Sequence, residues 1–412
     1  MANEEIISAM QAANKWWRGE LQLDFKPRHI YYEMQKFLPE RQIMALVGLR
    51  RTGKTTILLK IVQDHLATLG RENIIYFSFD EFKAVKLRLI LQEYSRLMGK
   101  RLDIGRYMFL FDEIQKLEGW EEQLKSLYDT YPNIKFLISG SESLFIRKKL
   151  RESLAGRMYE FHIKTLSFKE YLDFKAVDYH NIGLAKGDII SELPLFFLSN
   201  GFPEIIGKEK EIAVKYVKEN VIEKIIYRDI PQVVPIKEPA TLEQLLKIIL
   251  ANPGEIINLD SLSGELNVTR QTISTYMGYL EKSFLIRKLY NFSRNARKTQ
   301  RKAKKYYPTI INPNMTDWHD YFGKVFETFV VNELDAEFFW RDAYKNEIDI
   351  VKTDPLTAIE IKSGKVSKED ARAIKSFSRK FAPKAGLILS YDTEGTVEGL
   401  PVVPFYKYLL DT

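Results

Sequence analysis

One stretch, Ala45-Leu-Val-Gly-Leu-Arg-Arg-Thr-Gly-Lys-Thr-Thr56, constrains this chain more than any other. It fits the spacing G-x-x-x-x-G-K-[ST], with Gly48, Gly53, Lys54 and Thr55 at the fixed positions, Leu49, Arg50, Arg51 and Thr52 between the glycines, and Thr56 following. Glycines let backbone N–H groups wrap a phosphate, and the helix that follows points its positive dipole end at the same charge. Lys54 is expected to reach the β- and γ-phosphates, and the Thr55 hydroxyl to ligate Mg²⁺. The flanks agree. Gln42–Val47 reads as a short buried strand, and Ile57, Leu58, Ile61, Val62 and Leu66 recur at helical spacing. Strand, loop and helix stand where a nucleoside triphosphate site needs them, so ATP with Mg²⁺ is the expected ligand.

Further along, Tyr107-Met-Phe-Leu-Phe-Asp-Glu113 is an apolar strand ending in two carboxylates, about 60 residues after the loop. Asp112 is expected to hold the Mg²⁺ shell, and Glu113 to orient the attacking water. Strands are also expected at 73–79, 135–139 and 158–163, and helices at 3–18 and 83–99. The bland reading of Trp16-Trp17 is packing of the first helix onto the core. A chain of 412 residues is long for one core, so several domains are expected. It has no cysteine, which removes disulfides and thiolate metal sites and fits a reducing cytoplasm. No apolar run approaches the length of a membrane span, so no membrane partner is expected.

Residues 166–230 read as helices broken at Gly201-Phe-Pro-Glu204, and Pro231, Pro235 and Pro239 mark a stiff connector. Thr241-Leu-Glu-Gln244 offers a capping box, then a short helix at 258–265, a turn at Asn267-Val-Thr269 and a third helix follow. In that third helix Ile273, Met277 and Leu280 face a core, leaving Arg270, Gln271, Ser274 and Thr275 outward for DNA. Phe284–Tyr290 would begin a wing. Between Arg287 and Lys305 lie nine Lys or Arg and no acid, Arg297, Lys298, Arg301 and Lys302 among them. A charge run is usually a solvated face; this one extends a recognition helix, which favours phosphate-backbone contact. The last hundred residues alternate as helix (323–334), strands (337–340, 347–351, 358–363), helix (367–381) and strand (385–389).

Two resemblances follow from these residues. Gly48-Leu-Arg-Arg-Thr-Gly-Lys-Thr55, Phe109-Leu-Phe-Asp-Glu113, Ile138-Ser-Gly-Ser141, Leu154-Ala-Gly-Arg157 and Leu166-Ser-Phe-Lys-Glu-Tyr-Leu172 resemble, in this order, the motifs of prokaryotic, often archaeal, AAA-family ATPases related to origin-recognition and signal-transduction ATPases. The resemblance implies a helical lid, a winged helix, a nuclease-like C-terminal domain and DNA association. It also implies that Ser141 stands beside the γ-phosphate and that Arg157, just ahead of the last core strand, reaches a neighbouring subunit's nucleotide in a homo-oligomer. The C-terminal element order resembles the PD-(D/E)xK nuclease core. Asp349, Glu360 and Lys362 fit its D…ExK signature, and Glu327 its first-helix acid. Strand alternation puts Glu360 and Lys362 on one face, where with Asp349 they could hold Mg²⁺ and water beside a scissile phosphate.

The expected architecture is therefore α/β: a P-loop AAA-type ATPase core (1–165), a helical lid and linker (166–240), a winged helix-turn-helix (241–312) and a restriction-endonuclease-like α/β domain (313–412). The expected function is a Mg²⁺-dependent, DNA-binding ATPase. Two alternatives stay open: an ATP-dependent switch whose winged helix binds a protein, with the nuclease fold inactive, and a nuclease in which ATP only gates cleavage.

Overall fold

The structure, a computed structural model, describes residues 2–140, 154–311 and 321–411. These form two compact units, residues 1–165 with 229–235, and residues 166–228 with 236–411.

The first unit is built on five strands, β1 (Ile43–Val47), β2 (Ile74–Ser78), β3 (Tyr107–Asp112), β4 (Ile134–Gly140) and β5 (Met158–His162). All pair in parallel, in the order β2-β3-β4-β1-β5. Every residue of β1 and β3 is buried, which is why both read as unbroken apolar runs rather than alternating ones. Helix Lys54–Leu69 lies on the sheet through Ile57, Leu58, Ile61 and Val62. The first helix ends at Ala13, followed by a tight turn at Lys15–Trp17. The indoles of Trp16 and Trp17 both donate to the Ile74 carbonyl, at 3.2 and 3.0 Å, so these aromatics pin the N-terminal segment to β2.

The second unit has two sheets. One runs β10-β9-β7-β8-β6, from β6 (Glu255–Ile256), β7 (Ile286–Asn291), β8 (Lys304–Pro308), β9 (Phe338–Arg341) and β10 (Glu347–Ile348). The other runs β11-β12-β13-β15-β14, from β11 (Ile350–Thr353), β12 (Leu356–Lys362), β13 (Ala385–Ser390), β14 (Gly395–Val397) and β15 (Leu400–Pro404). Helices Pro239–Ala251, Leu259–Glu265 and Arg270–Lys282 precede β7, with Ile273, Met277 and Leu280 buried as expected. The expected capping box at Thr241 is displaced, because Pro239 already opens the helix and Glu238 is its N-cap.

Helices Phe168–Lys175 and Ile182–Ser199, expected as a lid, spend their apolar faces on the second unit's core. Phe168, Tyr171, Phe196 and Phe197 join Phe326, Phe329 and Phe405 there. Ser167 and Glu170 form a reciprocal capping box at the start of the first of these helices. Asn200 ends the second in a left-handed conformation, and its side-chain amide exchanges two hydrogen bonds with the backbone of Ile311. Gly201 must be glycine: its φ is +66°, and a Cβ would collide with the Leu166 carbonyl. Among the described residues, no helix is long and apolar enough to cross a membrane.

Candidate functional site

In the first unit, β1 delivers the chain into the loop 48–53. Gly48 has no room for a Cβ because the Ile163 carbonyl occupies that place, and Gly53 turns at φ +91° to start the helix. Inside the loop, Thr52 is fully buried and donates to the Leu49 carbonyl at 2.9 Å, so its side chain braces the turn. Lys54 Nζ donates to the carbonyls of Gly48 and Leu49, each at 2.8 Å. Arg28 braces the loop from outside, donating to the Thr52 carbonyl at 3.1 Å and to the Lys164 carbonyl at 3.0 Å.

Asp112 is the hub. Its Oδ2 accepts from Thr55 Oγ1 at 2.7 Å and from the Tyr76 hydroxyl at 2.6 Å. Its Oδ1 accepts from Ser139 Oγ and from the Glu113 amide. Burial and the Asp112 charge push the Tyr76 phenol well above its ordinary range, so it stays a donor. Glu113 stands in the left-handed region at φ 54°, ψ 36°, a costly conformation for a non-glycine residue and one concentrated at functional sites. Its carboxylate accepts from Gln115 Nε2 at 2.7 Å and lies 3.7 Å from Lys116 Nζ, which also pairs with Asp80. Three hydroxyls on Asp112, one of them on the P-loop helix, are the donor set that a hydrated Mg²⁺ beside a phosphate would meet, and the residues fit that ion.

In the second unit, the stretch expected as one strand at 347–351 is two. Glu347–Ile348 pairs with β9, and Ile350–Thr353 pairs with β12 in the other sheet. Asp349 is the residue at which the chain changes sheets, and its Oδ2 accepts from the Ile361 amide at 2.8 Å. The register sets Ile350 opposite Ile359, which carries Asp349 toward Glu360. Lys362 Nζ lies 3.0 Å from Glu360 Oε1 and 3.2 Å from Asp370 Oδ1. Glu360 Oε2 is buried and has no hydrogen-bond partner among the described residues. Burial, then the charge of Glu327, pushes Asp349 up to about 7, and burial, then Asp349, pushes Glu360 well above the usual carboxylate range. Two crowded carboxylates and one orphaned oxygen fit a divalent cation. Among the described residues, however, no three His, Asp or Glu gather as a metal-holding group. Glu327 borders the same cluster through Lys305: it accepts from the Tyr307 hydroxyl at 2.5 Å and lies 3.7 Å from Lys305 Nζ, which is 3.9 Å from Asp349 Oδ1.

Residues 40–172 match the family model described as an AAA domain. That segment is a P-loop core of the AAA type. Residues 192–309 and 322–408 match two further families, each described as a domain of unknown function. Two uncharacterized proteins of Methanocaldococcus jannaschii are similar along most of their length. One is 28% identical, over 95% of this chain and 93% of the relative. The other is 29% identical, over 90% of this chain and 85% of the relative. Among solved structures, the Walker-type ATPase PABY2304 of Pyrococcus abyssi aligns with 70% of this chain and 95% of its own, at 14% identity and a TM-score of 0.44.

The AAA domain brings Lys54, Thr55, Asp112 and Glu113 to the carboxyl ends of β1 and β3. Of the other loop positions, Arg51 is exposed and Thr56 half-buried, while Arg50 holds Asp229 with Nη1 at 2.8 and 3.0 Å from its two oxygens. Arg157 precedes β5, whose Met158 pairs with Ile43, whereas Val47 leads to the loop. The sheet's length, roughly 16 Å for five residues, therefore separates Arg157 from its own chain's P-loop. Its guanidinium pairs instead with Asp129. Ser141 lies outside the described residues.

On the helix Arg270–Lys282, Arg270, Gln271 and Ser274 are exposed and Thr275 is half-buried. Arg270 also lies 3.4 Å from Asp260. Arg297, Lys298 and Arg301 are exposed on the short helix Ala296–Arg301. Lys302 is half-buried, with Nζ 3.3 Å from Asn291 Oδ1 and from the Phe292 carbonyl. Other members of the basic run serve the fold: Arg287 pairs with Asp335, Lys288 with Glu281, and Lys305 with Glu347. Sequence reasoning missed Tyr76, Ser139, Arg28 and Lys305. Tyr76 alone had a usable signal, since alternation puts it on the same face of β2 as Ser78, the residue in register with Asp112.

Proposed function

We propose that this chain is a Mg²⁺-dependent ATPase that acts on DNA. The observation that carries the ATPase reading is the convergence of Thr55, Tyr76 and Ser139 on Asp112, one residue before a Glu113 held in left-handed geometry. Lys54 is buried among loop carbonyls and would exchange them for β- and γ-phosphate oxygens. Mg²⁺, when bound, would neutralise charge developing on those oxygens. Thr55 would hold it directly and Asp112 through its hydration shell, with Tyr76 and Ser139 fixing the carboxylate's rotamer. Glu113 would orient the attacking water. Ser141 would stand beside the γ-phosphate, and Arg157, at the opposite end of the strands from its own P-loop, would act on a neighbour's nucleotide in a homo-oligomer.

In the second unit, three helices and the β6-β8-β7 sheet support a winged-helix reading, with the exposed face of Arg270–Thr275 and the helix Ala296–Arg301 as the DNA contact. The Asp349–Glu360 pair with Lys362 supports a PD-(D/E)xK-type site. A divalent cation there would activate water and steady the scissile phosphate. Asp349 and Glu360 would hold it, and Lys362 would position the water. The basic run's internal pairing favours the alternative of a protein-binding adaptor to the extent that fewer cations remain for DNA. The test of the main reading is steady-state hydrolysis of ATP by the full chain with Mg²⁺. Activity that disappears in Lys54→Ala supports it; an inactive wild type, or an unaffected variant, removes it.

A further inference from the structure

Lys305 belongs to the basic run that the sequence offers to solvent, yet it is 5% exposed. It lies on β8, and its Nζ stands 2.5 Å from Glu347 Oε1, 3.7 Å from Glu327 Oε1 and 3.9 Å from Asp349 Oδ1. Strand alternation puts Tyr307 on the same face, where its hydroxyl fixes Glu327 and lies 3.4 Å from Lys305 Nζ. A buried ammonium with three carboxylates within 4 Å is placed as their counter-charge, and the side chain of Asp349, 13% exposed, is less open to water than that of Glu347, 28% exposed.

The arrangement divides the carboxylates. On one side of Asp349, an ammonium from β8 takes up Glu347 and Glu327. On the other side, Glu360 keeps a buried oxygen without a partner among the described residues. We propose that Lys305 is a built-in counter-ion of this cluster: it confines divalent-cation binding to the Asp349–Glu360 pair and holds down its affinity. The proposal rests on reading that pair as a metal site. A unit positive charge a few ångströms from a divalent ion, in a poorly hydrated pocket, weakens binding by about tenfold or more.

The test is Mn²⁺ titration of the full chain without nucleotide, in an Asp112→Asn background that silences the first unit's acid, followed by calorimetry and the Mn²⁺ paramagnetic signal. Lys305→Gln keeps a donor for Glu347 while removing the charge, and is expected to bind Mn²⁺ about tenfold or more tightly than the parent. Because Lys305→Gln leaves Glu347 with Arg341 as its cation, at 3.4 Å, and can change its packing, the same step is also measured within Glu347→Gln, where the pair is removed together. The shift should keep its sign there. Equal or weaker binding after loss of Lys305, with Asp349→Asn abolishing binding in the parent, would overturn the counter-ion role and leave the metal site standing. No Asp349-dependent binding in parent or variants would overturn the metal reading and the proposal with it.

Discussion

The two acidic centres of this chain solve the same electrostatic problem in opposite ways. In the first unit Asp112 is surrounded by neutral donors, the hydroxyls of Thr55, Tyr76 and Ser139. In the second, Asp349 and Glu360 are flanked by ammonium groups, Lys305 and Lys362. A hydroxyl can rotate and offer a lone pair when a cation arrives, so a hydroxyl-lined carboxylate is ready to receive one. An ammonium has no lone pair to offer and repels the cation. On the proposed reading, the first centre would receive an ion with each nucleotide, and the second, with Lys305 and Lys362 beside its acids, would bind one sparingly.

The sharpest way to break this contrast is to remove the carboxylate at the sheet junction. Asp349→Ala should abolish Mg²⁺- or Mn²⁺-dependent DNA cleavage by the full chain, tested on single-stranded, double-stranded and branched substrates. ATP hydrolysis should remain near the wild-type rate, because Lys54, Thr55, Asp112 and Glu113 all belong to the first unit. A parallel fall in both activities would mean that the two centres are one functional unit.

A smaller effect is expected from the cations that remain outward. Neutralising Arg297, Lys298, Arg301 and Lys302 should weaken DNA binding across sequences and flatten the salt dependence by about one unit for each phosphate no longer neutralised. Lys302, half-buried against Asn291, should contribute least. Unchanged affinity and slope would favour the adaptor reading, in which the module grips a protein.

Smaller still is the loss of one hydroxyl from Asp112. Tyr76→Phe should lower kcat by roughly threefold to tenfold while leaving ATP affinity nearly unchanged, since Thr55 and Ser139 still hold the carboxylate. A rise in KM with kcat intact would place Tyr76 in nucleotide binding rather than in positioning Asp112.

The P-loop centre was largely legible in the sequence, because its strands are buried on both faces and its loop obeys a fixed spacing. Thr55 meets Asp112 at 2.7 Å, with Lys54 beside the one and Glu113 beside the other in the chain. Ser139 was not legible: it lies near the end of an apolar strand and becomes a partner of Asp112 only through the β3–β4 pairing. The second unit was harder. The break at Asp349 depends on two sheets competing for one stretch of chain, and no local pattern marks it. Lys305 was read as part of a basic run contacting phosphate, because its three carboxylate partners lie 22 to 44 residues further on, on a helix and around the junction of the two sheets. The hairpin β14–β15 and the helix Phe405–Leu410 went unread; their elements are short, and Gly395 and Gly399 interrupt any periodicity.

The most direct test of the central claim, that the first unit's centre hydrolyses ATP through Glu113, separates binding from turnover. Full-length Glu113→Gln is titrated with ATP and Mg²⁺, and its hydrolysis rate is measured alongside the wild type. The account predicts ATP affinity close to wild type, since Lys54 and the loop amides are untouched, with hydrolysis slower by about a hundredfold or more. Wild-type turnover in Glu113→Gln would contradict it.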